Sequence, residues 1–128
     1  MAALKKMILI VEDEEGLREA LKLKLEQADY EVLAASTGEE ALEILKSRRP
    51  DMVSLDILLP GINGLEVLQK IRDDSKLHNL PVIILSVSGS QEKIQQAFSM
   101  NVVDYLIKSE HKIDGIITKF KKILGKHS

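Results

Sequence analysis

The chain has 128 residues, 45% of them apolar and 3% aromatic, with 18 Lys and Arg against 20 Asp and Glu for a formal net charge of −2. That length sets an expectation of one domain, 1–128, with an aliphatic core and no output domain, and the balanced charge argues against direct nucleic-acid binding. There is no cysteine, which excludes disulfides and thiolate zinc sites, and no apolar run approaches the ~20 residues that a membrane helix needs.

In chain order, the opening MAALKKMILIVED has a short apolar stretch that runs into acids, unlike a signal peptide, so a cytoplasmic location without membrane contact is expected. MILIV (7–11) reads as a strand and ends in four acids, Glu12, Asp13, Glu14 and Glu15. Leu17, Ala20, Leu21, Leu25 and Ala28 then recur with helical spacing. EVLAA (31–35) is a second strand, and Thr37-x-x-Glu40 has capping-box form before a helix with Ala41, Ile44 and Leu45 on one face. The third strand, MVSLD (52–56), ends in Asp56 and enters the turn LLPGING, after which Gly64, Val67, Leu68 and Ile71 form a helical stripe. PVIILS (81–86) is followed by a shorter stripe of Ile94, Ala97 and Phe98. After VVDYLI (102–107) comes the clearest periodicity, Ile113, Ile116, Ile117, Phe120, Ile123 and Leu124.

Five strands alternating with five helices predict an α/β domain with a parallel sheet covered on both faces, because MILIV and VIIL are apolar without alternation. In such sheets ligands bind beyond the carboxyl ends of the strands. Glu12 and Asp13 follow strand one, Asp56 strand three, Ser86 strand four and Lys108 strand five. Three carboxylates meeting there either take up protons or hold a hard cation. Oxygen ligands without His or Cys suit Mg²⁺. A hydroxyl and an ammonium facing them complete a phosphoryl-transfer set, with Asp56 as nucleophile.

Taken singly, each residue has a plainer reading. Glu12 and Asp13 fit a solvated loop or an acidic first helical turn. Asp56 fits a turn or cap, Ser86 and Ser88 strand-end hydroxyls, Lys108 a surface lysine, and Tyr105 a half-buried strand aromatic. His78, His111 and His127 read as exposed, and no pair of them has metal spacing on a helix. Lys119, Lys121, Lys122 and Lys126 fit a solvated face that complements the last helix's C-terminus. What favours the joint reading is that all the reactive types fall at one edge of the inferred sheet.

The run of motifs ILIVEDEE, LDILLPGINGLEVL, PVIILS and VDYLIK, in this order and spacing, resembles the receiver domain of bacterial two-component response regulators across essentially the whole chain. The resemblance implies a doubly wound, flavodoxin-like fold of strand order 2-1-3-4-5, the order found in chemotaxis receivers. It implies that Asp56 accepts a phosphoryl group from a sensor histidine kinase. Glu12, Asp13, Asp56 and the Leu58 backbone carbonyl would hold Mg²⁺, and Ser86 and Lys108 would bind phosphoryl oxygens. Ser86 and Tyr105 would form the switch. The output surface would be helix four, strand five and helix five, offered to a downstream protein target, an output domain or a second copy in a homodimer.

Three positions depart from the family pattern. Ser109 replaces the usual Pro after Lys108, and a cis bond before a non-proline residue costs about 3 kcal/mol. Lys108-Ser109 is therefore expected to be trans with a rearranged loop, or cis with a compensating contact. Leu58 stands where a polar residue is common, which predicts a long-lived phosphoryl state. Leu59 replaces the common Met, a volume-conserving swap. Two other functions compete. A binding module signalling without phosphorylation would fit Ser109 and Leu58. An Mg²⁺-dependent phosphatase would use Asp56, but haloacid-dehalogenase-like enzymes carry a second Asp where Leu58 stands.

Overall fold

The computed structural model describes residues 5–87 and 89–126. Ser88, His127 and the Lys126 side chain lie outside the described residues. In chain order the elements are β1 (Met7–Val11), α1 (Glu15–Gln27), β2 (Glu31–Ala35), α2 (Gly38–Leu45), β3 (Met52–Leu55) and α3 (Gly64–Asp73). They are followed by β4 (Val82–Ser86), α4 (Gln91–Ser99), β5 (Asp104–Ile107), a 3₁₀ turn (Lys108–Glu110) and α5 (Ile113–Lys126). The strands form one parallel sheet of order β2-β1-β3-β4-β5, as expected.

Period-two alternation sends neighbouring strand residues to opposite faces, and each face has its own core. Ile8, Ile10, Ile83, Leu85 and Leu106 pack with Leu21 and Leu25 of α1 and with Phe120 and Leu124 of α5. Leu9, Val11, Val53, Leu55 and Ile84 pack with α2, α3 and Ala97 of α4. Burying one such side chain contributes roughly 1.5–3 kcal/mol, so the two cores carry the fold. The helical stripes land as read for α3 and α5: Gly64, Val67, Leu68 and Ile71 are buried, as are Ile116, Ile117, Phe120, Ile123 and Leu124, while Ile113 is half-buried. On α4 one residue departs: Phe98 is 45% exposed while Ala97 is buried. That helix fully buries Ala97 alone and turns its aromatic outward.

Local signals set where the helices start. Thr37 accepts from the Glu40 amide at 3.0 Å, and Glu40 Oε1 reaches back to the Ser36 amide at 2.7 Å, one residue before the cap. Asn63 caps α3 and Ser90 caps α4 in the same way. The α1 helix has no side-chain cap, and its N-cap is Glu14 in the acidic run.

Candidate functional site

The β1–β3 register pairs Val11 with Leu55, so the next residues, Glu12 and Asp56, leave the sheet side by side. Two more backbone bonds hold them, Glu12 N to Ala35 O at 3.0 Å and Asp56 N to Val11 O at 3.1 Å. Asp56 thus lies one residue beyond the end of β3, while Ser86 ends β4 and Lys108 directly follows β5. Carboxylate oxygens of Glu12, Asp13 and Asp56 lie within 4.8 Å of one another. Glu12 and Asp56 are buried and Asp13 is exposed, so the cluster opens to solvent on the Asp13 side.

Lys108 is in the site. Its ammonium lies 2.7 Å from Glu12 Oε1 and 3.0 Å from Asp56 Oδ2. Among the described residues no peptide bond is cis. Lys108-Ser109 is therefore trans, and the chain absorbs the missing proline by entering the 3₁₀ turn, where the His111 amide donates to Lys108 O at 3.3 Å. This is the first of the two expected outcomes, and it leaves the lysine's reach intact.

Burial pushes the Glu12 carboxyl upward against the stabilising Lys108 bond, and the Asp56 charge adds to the rise. Burial alone would lower Lys108, but its bonds to Glu12 and Asp56 outweigh that and raise it. The pocket is an ion cluster with more acid than base, three carboxylates against one ammonium. Asp56 Oδ1 accepts from the Leu58 amide at 2.9 Å, which fixes the carboxylate's orientation. Gly64 is required here, because a Cβ would stand 2.1 Å from the Asp56 carbonyl oxygen.

Ser86 is wholly buried, and its Oγ is the one buried side-chain polar atom without a hydrogen-bond partner among the described residues. Such a group carries a desolvation cost and points to an occupant that would satisfy it. The half-buried Tyr105 ring stands over Gly89, where a Cβ would meet its Oη at 2.8 Å. Burial raises the Tyr105 hydroxyl and the Asp56 charge adds to the rise, while Ser86, close by but outside hydrogen-bonding geometry, pulls it down.

Sequence reading missed Arg18, whose Nη1 donates to Glu12 O at 2.9 Å and braces the acidic loop from α1. It also missed Glu39, which accepts from the Ile62 amide at 3.3 Å. Neither belongs to a motif, and both act on backbone groups that only folding brings near. The remaining plain readings hold for His78, Lys119, Lys121 and Lys122, which are exposed; His111 is half-buried.

A doubly wound parallel sheet with its acids, ammonium and orphan hydroxyl gathered at the carboxyl edge defines a flavodoxin-like domain with its site beyond the strand ends. The chain belongs to the response regulator receiver domain family, whose pattern matches residues 8–120. It is 35% identical over 103 residues to the phosphate regulon transcriptional regulatory protein PhoB of Pseudomonas aeruginosa, covering 80% of this chain and 45% of that protein. It is 36% identical over 94 residues to the polar-differentiation response regulator DivK of Brucella anthropi, covering 71% of this chain and 76% of that protein. A CheY-like receiver domain protein from Methanospirillum hungatei superposes with a TM-score of 0.89 at 26% identity, over 97% of each chain. The chain spans less than half the length of the transcriptional regulators it matches. Its function is that of a two-component response regulator receiver, a signalling domain. Among the described residues no helix is long and apolar enough to cross a membrane.

Proposed function

We propose that the chain is a phosphorylation-controlled switch in which Asp56 accepts a phosphoryl group from a phosphohistidine of a sensor histidine kinase. The observation that carries this reading is the convergence of Asp56 with Lys108 and with the buried, unsatisfied Ser86 at one sheet edge. In the transfer, an Asp56 carboxylate oxygen forms the new O–P bond as the N–P bond of the donor breaks, and the imidazole leaves with its electron pair. The oxygen-only donor set of Glu12, Asp13 and Asp56 fits Mg²⁺, with the Leu58 carbonyl as a fourth donor. When bound, that ion neutralises phosphoryl charge.

The chain's own groups do the rest. The Leu58 amide holds one Asp56 oxygen and so presents the other. Lys108, already on Asp56, moves its hydrogen bond to a phosphoryl oxygen. Ser86 gains the acceptor it lacks, and Tyr105 follows it as the switch, carrying the event to α4, β5 and α5. A phosphoryl group adds nearly two negative charges, enough to bias such an equilibrium. The receiver unit acts in the cytoplasm as a signalling domain, not as an enzyme with an external substrate. It binds its kinase, a downstream protein target or output domain, and a second copy through the α4–β5–α5 face, with no direct nucleic-acid contact. The phosphorylation-independent alternative drew on Ser109 and Leu58; Lys108 reaching Asp56 past a trans bond weighs against the first of these grounds.

Incubation with Mg²⁺ and acetyl phosphate should add the mass of one phosphoryl group. Asp56→Asn, or chelation of the cation, should abolish the gain. A wild type that takes up nothing from either acetyl phosphate or a kinase defeats the reading.

A further inference from the structure

The loop 57–63 is held by the buried Ile57 and Leu59 side chains, by Asn63 capping α3 and by two further contacts. At its near end, Gly64 N donates to Ile57 O at 2.8 Å, and the Leu58 amide holds Asp56. At its far end the partner is another helix. Glu39, in the first turn of α2, accepts from the Ile62 amide, and its carboxylate lies against Gly61, where a Cβ would stand 2.5 Å from Glu39 Oε2. Gly61 has φ +73°, a turn that glycine adopts at little cost and that other residues rarely adopt. Gly38 makes the approach possible, since a Cβ there would stand 2.6 Å from Val67 Cγ2 and 2.7 Å from Ile62 Cγ1. The Gly38-Glu39 pair therefore brings a helix N-terminus and a carboxylate directly onto the loop that leaves Asp56.

We infer that Glu39 is a positioning residue for the acceptor aspartate. By holding the Ile62 amide it fixes the loop, and through the loop both the Leu58 amide that orients Asp56 and the Leu58 carbonyl offered to the cation. The metal part rests on the receiver reading above; the loop part does not. A tether of this kind acts through geometry, since the Glu39 carboxylate touches neither Asp56 nor the other acids in the cluster.

The test uses the whole chain without metal and follows amide hydrogen exchange by NMR. Glu39→Ala should speed exchange at Ile62 and Leu58 alike by about fivefold, the size expected for one lost hydrogen bond. Val53, whose amide donates to Pro81 O inside the sheet, should be unchanged and so report an intact fold. Glu39→Gln keeps the acceptor oxygen without the charge and should stay within about twofold of wild type. Glu43→Ala removes a carboxylate from the same helix, one paired with Lys46, and should change neither amide. Mg²⁺ titration should give about fivefold weaker binding for Glu39→Ala only. Unchanged exchange at Leu58, unchanged Mg²⁺ affinity, or a Glu39→Gln as defective as Glu39→Ala overturns the inference. The exchange arm needs neither cation nor phosphoryl donor. Failure of phosphoryl uptake would thus sink the receiver chemistry while exchange still decided the role of Glu39.

Discussion

At the amino edge of the sheet, Arg48 pairs with Glu31 at 2.6 Å and Asp51 accepts from the Met7 amide at 2.7 Å. A cavity of about 560 Å³ lies there between the ends of α2 and α3, lined by residues including Arg48, Arg49, Asp74 and Lys76. At the carboxyl edge, Glu12 and Asp56 are buried against one ammonium, with Asp13 beside them and Ser86 unsatisfied. The amino edge has a concavity and plenty of charge, but its ion pair is nearly half exposed on both sides. Solvent screens such a pair, and it is worth little. The carboxyl edge puts more acid than base out of water. What makes a site is charge whose balance the protein leaves incomplete, not the size of the hollow.

Four substitutions test that contrast, from the largest expected effect to the smallest. Gly64→Ala drives a Cβ into the Asp56 carbonyl and the Ile57 backbone, neither of which can swing away. It should cost about 3 kcal/mol of stability in denaturant unfolding, and a loss under about 1 kcal/mol would mean that this edge yields more than the contacts imply. Lys108→Met removes the ammonium shared by Glu12 and Asp56. Phosphoryl uptake from acetyl phosphate should fall roughly 100-fold, as when one charge-stabilising donor is lost. Leu58 leaves an apolar side chain 43% exposed two residues after Asp56. In Leu58→Asn the phosphoryl half-life should shorten roughly tenfold, less than a full general base would contribute; equal half-lives would remove any shielding role. Arg48→Ala, at the opposite edge, should change stability by no more than about 0.5 kcal/mol and leave uptake as in wild type. A clear effect on uptake there would break the distinction between the edges.

The site was legible residue by residue because its parts lie at strand ends, and strands in this chain announce themselves as short apolar runs. Asp56, Glu12, Ser86 and Lys108 each follow or close such a run. Phe98 was misplaced because helical spacing says which residues share a face, not how wide a stripe the neighbouring sheet will cover. Arg18 and Glu39 stayed hidden because their partners are backbone atoms. A carbonyl or an amide has no letter of its own in the sequence.

Periodicity and turn chemistry by themselves determined the alternation of five strands with five helices, the two-sided burial of the sheet and the edge where chemistry collects. Those are local properties, set by how each stretch of side chains must face away from water. Only the tertiary structure decided that Lys108 reaches both acids past a trans bond, that Ser86 is left without a partner, and that α2 grips the loop behind Asp56. These depend on distances between segments far apart in the chain, and such distances are fixed by how the whole domain packs.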